Sequence, residues 1–252
     1  MDNEKILKFA MDASLAMLKN GAETNRVEDT MVRILKNYDF SEIEPFVTST
    51  GMFCTIIDKN GKIYSATKRV TKRTINLEKI SLINEMSRDL AQKKINLEEA
   101  IEILKKINEI KPYKSVYKMF GAAVASTAFS YILGGGYRDI FVAFIASLLL
   151  YGFIVMANKY NLSDFIVNIT GGALSSSIVL VFYKLGFCDN MDVAIIGSIM
   201  PLVPGVSFTN AVRDIFAGDY LSGTSRLLDA LLVAVCIATG VGTSLGLWFF
   251  AG

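Results

Sequence analysis

The stretch "MPLVPGVSFTNAVRDIFAGD", residues 200–219, puts two prolines, two glycines, an arginine and two aspartates inside an otherwise apolar half-chain. Pro201 and Pro204 each lack a backbone donor and clash with the preceding helical turn. A continuous helix through both is therefore not expected, and two half-helices over about 191–200 and 205–217 are predicted instead. In hydrocarbon, unpaired backbone groups cost several kcal/mol each, so such a break survives only inside protein or beside a water-filled cavity. The second half-helix would aim its free amides and positive dipole end at an anion, as broken helices in secondary transporters do. Arg213 suits a carboxylate, which a guanidinium holds through two parallel hydrogen bonds. Pro201, Pro204, Gly205, Thr209, Asn210 and Arg213 are thus the expected substrate-binding set. Asp214, Asp219 and Asp229 are the expected acceptors of an amine or a coupling proton. The competing reading makes Arg213 and Asp214 mere markers of the membrane interface.

Around this stretch the chain divides into two materials. Residues 1–118 hold 21 of the 26 Lys and Arg and 17 of the 24 Asp and Glu. The rest contains five charge-free runs, 119–137, 140–158, 165–183, 193–212 and 230–252. Each approaches or exceeds the roughly 20 residues that cross a hydrocarbon core. The predicted fold is an α-helical polytopic membrane domain over 113–252, with five membrane helices of which the fourth is broken, behind an N-terminal cytosolic α+β domain over 1–112. Lys111, Lys114 and Lys118 precede the first run and place the front domain in the cytoplasm by the positive-inside rule. The charged, amphipathic start does not read as a secretory leader.

The front domain opens with an amphipathic helix ended by Gly21, after which Thr24, or its rival Asn25, is expected to cap a second helix. "DKNGK" holds an Asn-Gly turn between apolar runs and predicts a hairpin of 52–58 with 61–69, with 43–49 as a third strand. Two helices with Asn caps, the second at Asn96, close the domain. The polar cluster "GAETNRVEDTM" (21–31) supplies Gly21, Glu23, Thr24, Arg26 and Glu28, read either as a capped helix with surface ion pairs or as a docking surface. Cys54, Cys188 and Cys236 show no ligand spacing, and the chain has no histidine. The commonest zinc ligand and general base are therefore missing, and no metal or cofactor is called for. A net charge of +2 without a basic stripe gives no reason to expect nucleic acid.

"GAETNRVEDTM" followed by "MPLVPGVSFTNAVRDIFAGDYLSGTSRLLDALLVA" resembles the threonine/serine exporter family, in its longer-subunit form. The resemblance implies export of a small carboxylate metabolite, a threonine/serine-type amino acid or a dicarboxylate such as succinate, across the cell (inner) membrane. It also implies no enzymatic activity and, because the second membrane region of fused members is not seen, a small membrane subunit or further copies of this chain as partners. With no nucleotide-binding loop, proton-driven exchange is the expected energy source. Two readings from other classes compete. One is a membrane-anchored hydrolase resting on carboxylates such as Glu23 and Glu28; the other is a membrane sensor or scaffold signalling through the front domain.

Overall fold

A computed structural model describes residues 2–71 and 73–251. In chain order the elements are α1 (Asn3–Lys19), α2 (Thr24–Leu35), β1 (Phe40–Thr48), β2 (Gly51–Asp58), β3 (Ile63–Arg69), α3 (Leu77–Ala91), α4 (Leu97–Glu109), α5 (Ser115–Ile132), α6 (Tyr137–Lys159), α7 (Asp164–Lys184), α8 (Met191–Ser198), a 3-10 turn (Met200–Leu202), α9 (Gly205–Phe216) and α10 (Tyr220–Ala251). They form two compact units: 1–111 with 206–228, and 112–205 with 229–252.

In the first unit, α1 buries Ile6, Leu7, Ala10, Met11, Met17 and Leu18 along one face, as its apolar spacing requires. The strands form an antiparallel meander in the order β1-β2-β3. At the "DKNG" turn, Asp58 Oδ1 accepts from the amides of Asn60 and Lys62, and Gly61 takes a φ of +78°, which glycine enters without Cβ strain. Strand β2 carries its buried face inward through Met52, Cys54 and Ile56. Helix α3 is capped by Asn76, whose side chain accepts from the Lys79 amide. Helix α4 starts with a reciprocal box, Asn96 accepting from the Glu99 amide and Glu99 from the Asn96 amide. Thr24 departs from its expected role. It is the first helical residue of α2, and the cap position belongs to Glu23, which makes no side-chain capping bond.

The second unit is packed inside out relative to a water-soluble bundle. Ser126, Ser130, Ser147, Ser175, Ser176 and Ser198 are buried, whereas Phe141, Leu149, Phe165, Val181, Leu232 and Val235 are exposed. Lipid gives helices no hydrophobic reason to associate, so small residues and hydrogen bonds between hydroxyls must hold them. Ser126 donates to Ser147 at 2.8 Å between α5 and α6, and Ser175 to Ser198 at 2.7 Å between α7 and α8. A Cβ on Gly172 would lie 2.9 Å from the Ile237 carbonyl oxygen, and one on Gly240 only 2.0 Å from that of Ile169. Gly242 and Gly246, which form the sequence's small-xxx-small pair, have nothing within 4 Å of such a Cβ. The close approach of α7 and α10 therefore uses Gly240.

Among the described residues three helices, α6, α7 and α10, are long and apolar enough to cross a membrane. Helices α8 and α9 pass the same test only together, as a pair bent by 70° at the break, so the count reaches four. Helix α5, with Lys118, Ser115, Thr127 and Tyr131, is not among them, and the five predicted spans are not all recovered. The first apolar run also stops short of its predicted end. Its helix closes at Ile132, because Gly134, Gly135 and Gly136 follow and Gly134 turns to φ +87°. The break itself falls where the prolines require it. Helix α8 ends at Ser198, Pro201 sits in the 3-10 turn, Val203 is extended (φ −64°, ψ 125°) and α9 begins after Pro204. Arg226 and Asp229 lie within α10. At 1.5 Å per residue its 32 residues extend about 48 Å, well beyond the roughly 30 Å of a hydrocarbon core.

Candidate functional site

The two motifs that stand nearly 190 residues apart in sequence meet inside the first unit. After α1, Gly21 turns the chain with a φ of +93°, and the next residues present two backbone carbonyls to the returning chain. Asn210 Nδ2 donates to the Gly21 carbonyl at 2.8 Å, and Arg226 Nη2 donates to the Ala22 carbonyl at 2.9 Å. Thr24, which does not cap its own helix, donates instead to α9. Its amide reaches Asp214 Oδ1 at 3.1 Å and its hydroxyl reaches the same oxygen at 2.8 Å.

Asp214 is 1% exposed and Arg226 is 6% exposed, and they face each other with Nε 3.2 Å from Oδ2. The alignment is too poor for a hydrogen bond at those two atoms, so the pair is held by proximity and by its bonds to the Thr24 amide and hydroxyl and the Ala22 carbonyl. A buried ion pair gains little over an apolar pair of the same shape, yet removing one partner is costly because the other charge remains. Helices α9 and α10 can bring these groups together because residue 223 is glycine. A Cβ there would sit 2.9 Å from the Ala211 carbonyl oxygen and 2.9 Å from the Ile215 amide nitrogen.

Asp219 Oδ2 lies 3.0 Å from the Thr24 hydroxyl, which is also bonded to Asp214. A hydroxyl has one hydrogen to give and two lone pairs to accept with. The Thr24 hydroxyl can therefore donate to only one of the two carboxylates at a time, and the three groups form one hydrogen-bonding cluster.

Glu23 binds two guanidinium groups, Arg26 at 3.0 Å (Nε to Oε2) and Arg213 through its other oxygen. The Arg213 side chain is 61% exposed whereas that of Glu23 is only 13% exposed, so water reaches the guanidinium end of this pair and is largely kept from the carboxylate end. Glu28 Oε1 accepts from the Val47 amide at 2.7 Å, tying α2 to β1. Burial pushes the Glu28 carboxyl above its ordinary value; the Val47 bond opposes this, and the charges of Asp219 and Asp29 reinforce it.

Among the predicted site residues, Gly21, Glu23, Thr24, Asn210, Arg213, Asp214 and Asp219 are brought together. Arg26 joins them through Glu23, and Glu28 holds β1. Thr209 is an exposed residue of α9. Pro201, Pro204 and Gly205 fall in the second unit, as does Asp229 on α10. Glu23 and Glu28, the carboxylates of the hydrolase reading, are thus occupied by guanidinium and amide donors.

Two residues escaped sequence reasoning. Arg226 was detectable as a lone cation at the head of the last apolar run, where charge persists only when paired or hydrated. Asp139 is buried at the start of α6 and accepts from the amides of Gly136, Asp189 and Asn190 at 3.0, 2.8 and 2.8 Å. Its signal was an acidic residue in the first turn after a glycine run, where its carboxylate can accept from the Gly136 amide. Among the described residues no cluster of three or more Cys, Asp or Glu could hold a metal ion.

Comparison with known proteins bears out the family resemblance. The family model described as "Putative threonine/serine exporter" (ThrE) matches residues 8–248. The probable succinate transporter subunit YjjP of Klebsiella aerogenes is 22% identical over 254 residues, covering 100% of this chain and 97% of its own length. The protein of the same name in Escherichia coli (strain K12) is 23% identical over 252 residues, 98% and 96% of the two chains. The threonine/serine exporter of Corynebacterium glutamicum is 24% identical over 183 residues, 71% of this chain but 37% of its own length. No solved structure matches the chain. A match over nearly the full length, on a mostly helical chain with several membrane-grade helices, identifies it as a multi-pass membrane protein that belongs to the threonine/serine exporter family.

Proposed function

We propose that this chain is a subunit of a secondary exporter that moves small carboxylate metabolites out of the cytoplasm, and that it is not an enzyme. Family membership supports export. The observation that carries the mechanism is the joining of the two motifs through Glu23–Arg213 and Thr24–Asp214. An incoming carboxylate competes with Glu23 for the exposed face of Arg213, whose side chain is 61% exposed. Asn210 and Thr209 orient the acid, and Pro201, Pro204 and Gly205 remain in the proposed substrate-binding set as the residues that break the segment. Asp214, Asp219 and Thr24 hold the proton that is exchanged, with Asp229 further along α10.

In this reading residues 1–112 form a cytosolic α+β domain and 113–252 a membrane domain with five crossings: α5, α6, α7, the broken α8–α9 segment and α10. Lys111, Lys114 and Lys118 before α5 support a cytoplasmic front, and the surplus length of α10 allows its charged first turns to stand clear of hydrocarbon. The membrane is the cell (inner) membrane. The relatives named as transporter subunits support a second membrane protein as partner.

Both substrate classes carry a carboxylate. The amino-acid reading follows the family's description. The dicarboxylate reading is favoured by the relatives that align along their whole length, which are named for succinate. Efflux of labelled threonine and succinate from loaded cells decides between them. Cells making this chain with its partner are expected to lose one label faster than cells without it, and Arg213→Ala is expected to abolish the difference. Equal efflux of both labels with and without the chain refutes the proposal.

A further inference from the structure

Within the first unit a cleft of about 410 Å³ opens between α2, α3 and α9, and every residue lining it except Ala217 is charged or an amide. Each helix contributes residues one turn apart: Asp29 and Arg33 from α2, Asn84 and Arg88 from α3, Arg213 and Ala217 from α9. Residues four apart share a helix face, so three polar faces converge on one space. Pockets of this size that bind apolar ligands are lined mainly by hydrophobic side chains. This one suits a small, highly polar solute.

The lining holds four guanidinium groups, Arg26, Arg33, Arg88 and Arg213, against three carboxylates, Glu23, Asp29 and Asp214. Two of those carboxylates are already engaged. Glu23 serves Arg26 and Arg213, and Asp214 faces Arg226, which does not line the cleft. That leaves Asp29 opposite Arg33 and Arg88, neither of which forms an ion pair among the described residues. Arg33 is nonetheless fixed. Its Nη1 donates to Asn84 Oδ1 at 2.9 Å and to Ser87 Oγ at 3.0 Å, both neutral acceptors. A guanidinium held in place by neutral partners keeps its charge and its remaining donors for an anion.

We propose that this cleft is a recognition site for a small carboxylate metabolite, with Arg33 and Arg88 holding the carboxylate between them. A second carboxylate on the same solute would meet Arg213, and an ammonium group would meet Asp29. The identity of the acid rests on the export reading, but binding at the cleft does not need transport to occur.

The full-length protein in lipid nanodiscs, titrated with succinate, threonine and inorganic phosphate by isothermal calorimetry, tests this. One of the two organic acids is expected to bind, with its affinity reduced tenfold or more in Arg88→Gln, an exposed position whose change should not disturb folding. Asp29→Asn is expected to weaken threonine and leave succinate unchanged. Absence of binding by both acids overturns the proposal, as does wild-type affinity in Arg88→Gln or phosphate binding as tight as either acid. Loss of cellular efflux with binding intact counts against the export reading alone; normal efflux without binding counts against this site alone.

Discussion

Replacing Asp214 by alanine strips the counter-charge from a guanidinium that is 6% exposed and leaves the Thr24 amide short of an acceptor, its hydroxyl keeping only Asp219. Breaking a buried pair from one side costs about 3–5 kcal/mol, because the surviving charge stays desolvated. For a folding unit of this size that is a fall in Tm of about 10–20 °C. Arg226→Gln should cost a similar amount, since Asp214 then keeps its charge with only Thr24 to answer it. The double variant Asp214→Asn, Arg226→Gln removes both charges together. Asparagine can still accept from Thr24 and glutamine can still donate to the Ala22 carbonyl, so most of the loss should be regained. Thermal unfolding of the purified protein in nanodiscs, followed across the four members of this cycle, measures the coupling directly. Strictly additive losses, or single variants within about 2 °C of the parent, would refute the account of a mutually dependent buried pair. Efflux assays on Asp214→Ala alone cannot separate lost transport from lost folding, which makes Arg213→Ala, at an exposed side chain, the cleaner probe of the carboxylate contact.

Gly240→Val should prevent accumulation of folded protein, because its first carbon already collides with the Ile169 carbonyl; Gly242→Ala, with open space around it, should behave as the parent on size-exclusion chromatography. Glu28 has its carboxyl raised by burial, so its stabilising contribution is complete below the ordinary carboxylate range and fades as pH climbs through the raised value. Glu28→Gln, which can still accept from Val47, should therefore match or exceed the parent Tm at pH 7.5 and lose that advantage by pH 4; a variant that is less stable at pH 7.5 contradicts the assignment. Thr24→Val removes the hydroxyl between Asp214 and Asp219 but keeps the amide bond, and should flatten the pH dependence of efflux, whereas Thr24→Ser should preserve it. Burial pushes the thiols of Cys54 and Cys188 up to about 12, so maleimide at pH 7.5 should label both only after unfolding.

Much of the architecture could be read from residue order because its signals are local. Two prolines three apart dictate the break, an Asn-Gly pair dictates the β2–β3 turn, and the Asn96–Glu99 spacing dictates the cap of α4. Each is fixed by atoms within one or two turns of the residue concerned. The site was legible only in pieces. Glu23 stood out as part of a polar cluster and Arg213 as a charge in an apolar half-chain, but nothing in either motif reveals that they touch, because their pairing is set by the tertiary return of α9. Thr24 illustrates the cost of that blindness. A threonine after a helix-ending glycine favours a capping role by propensity, and tertiary hydrogen bonds to Asp214 override it. Arg226 was misjudged for a related reason, since charge flanking an apolar run reads as the start of a loop until a buried acid is found opposite it.

The glycines between α7 and α10 also constrain where a solute can travel. Gly172 and Gly240 bring those backbones so near that a single methyl group on either one would overlap a peptide oxygen. A four-carbon acid is far bulkier than a methyl, so under the export reading this seam would be closed to the solute, whose path would follow another face of these helices.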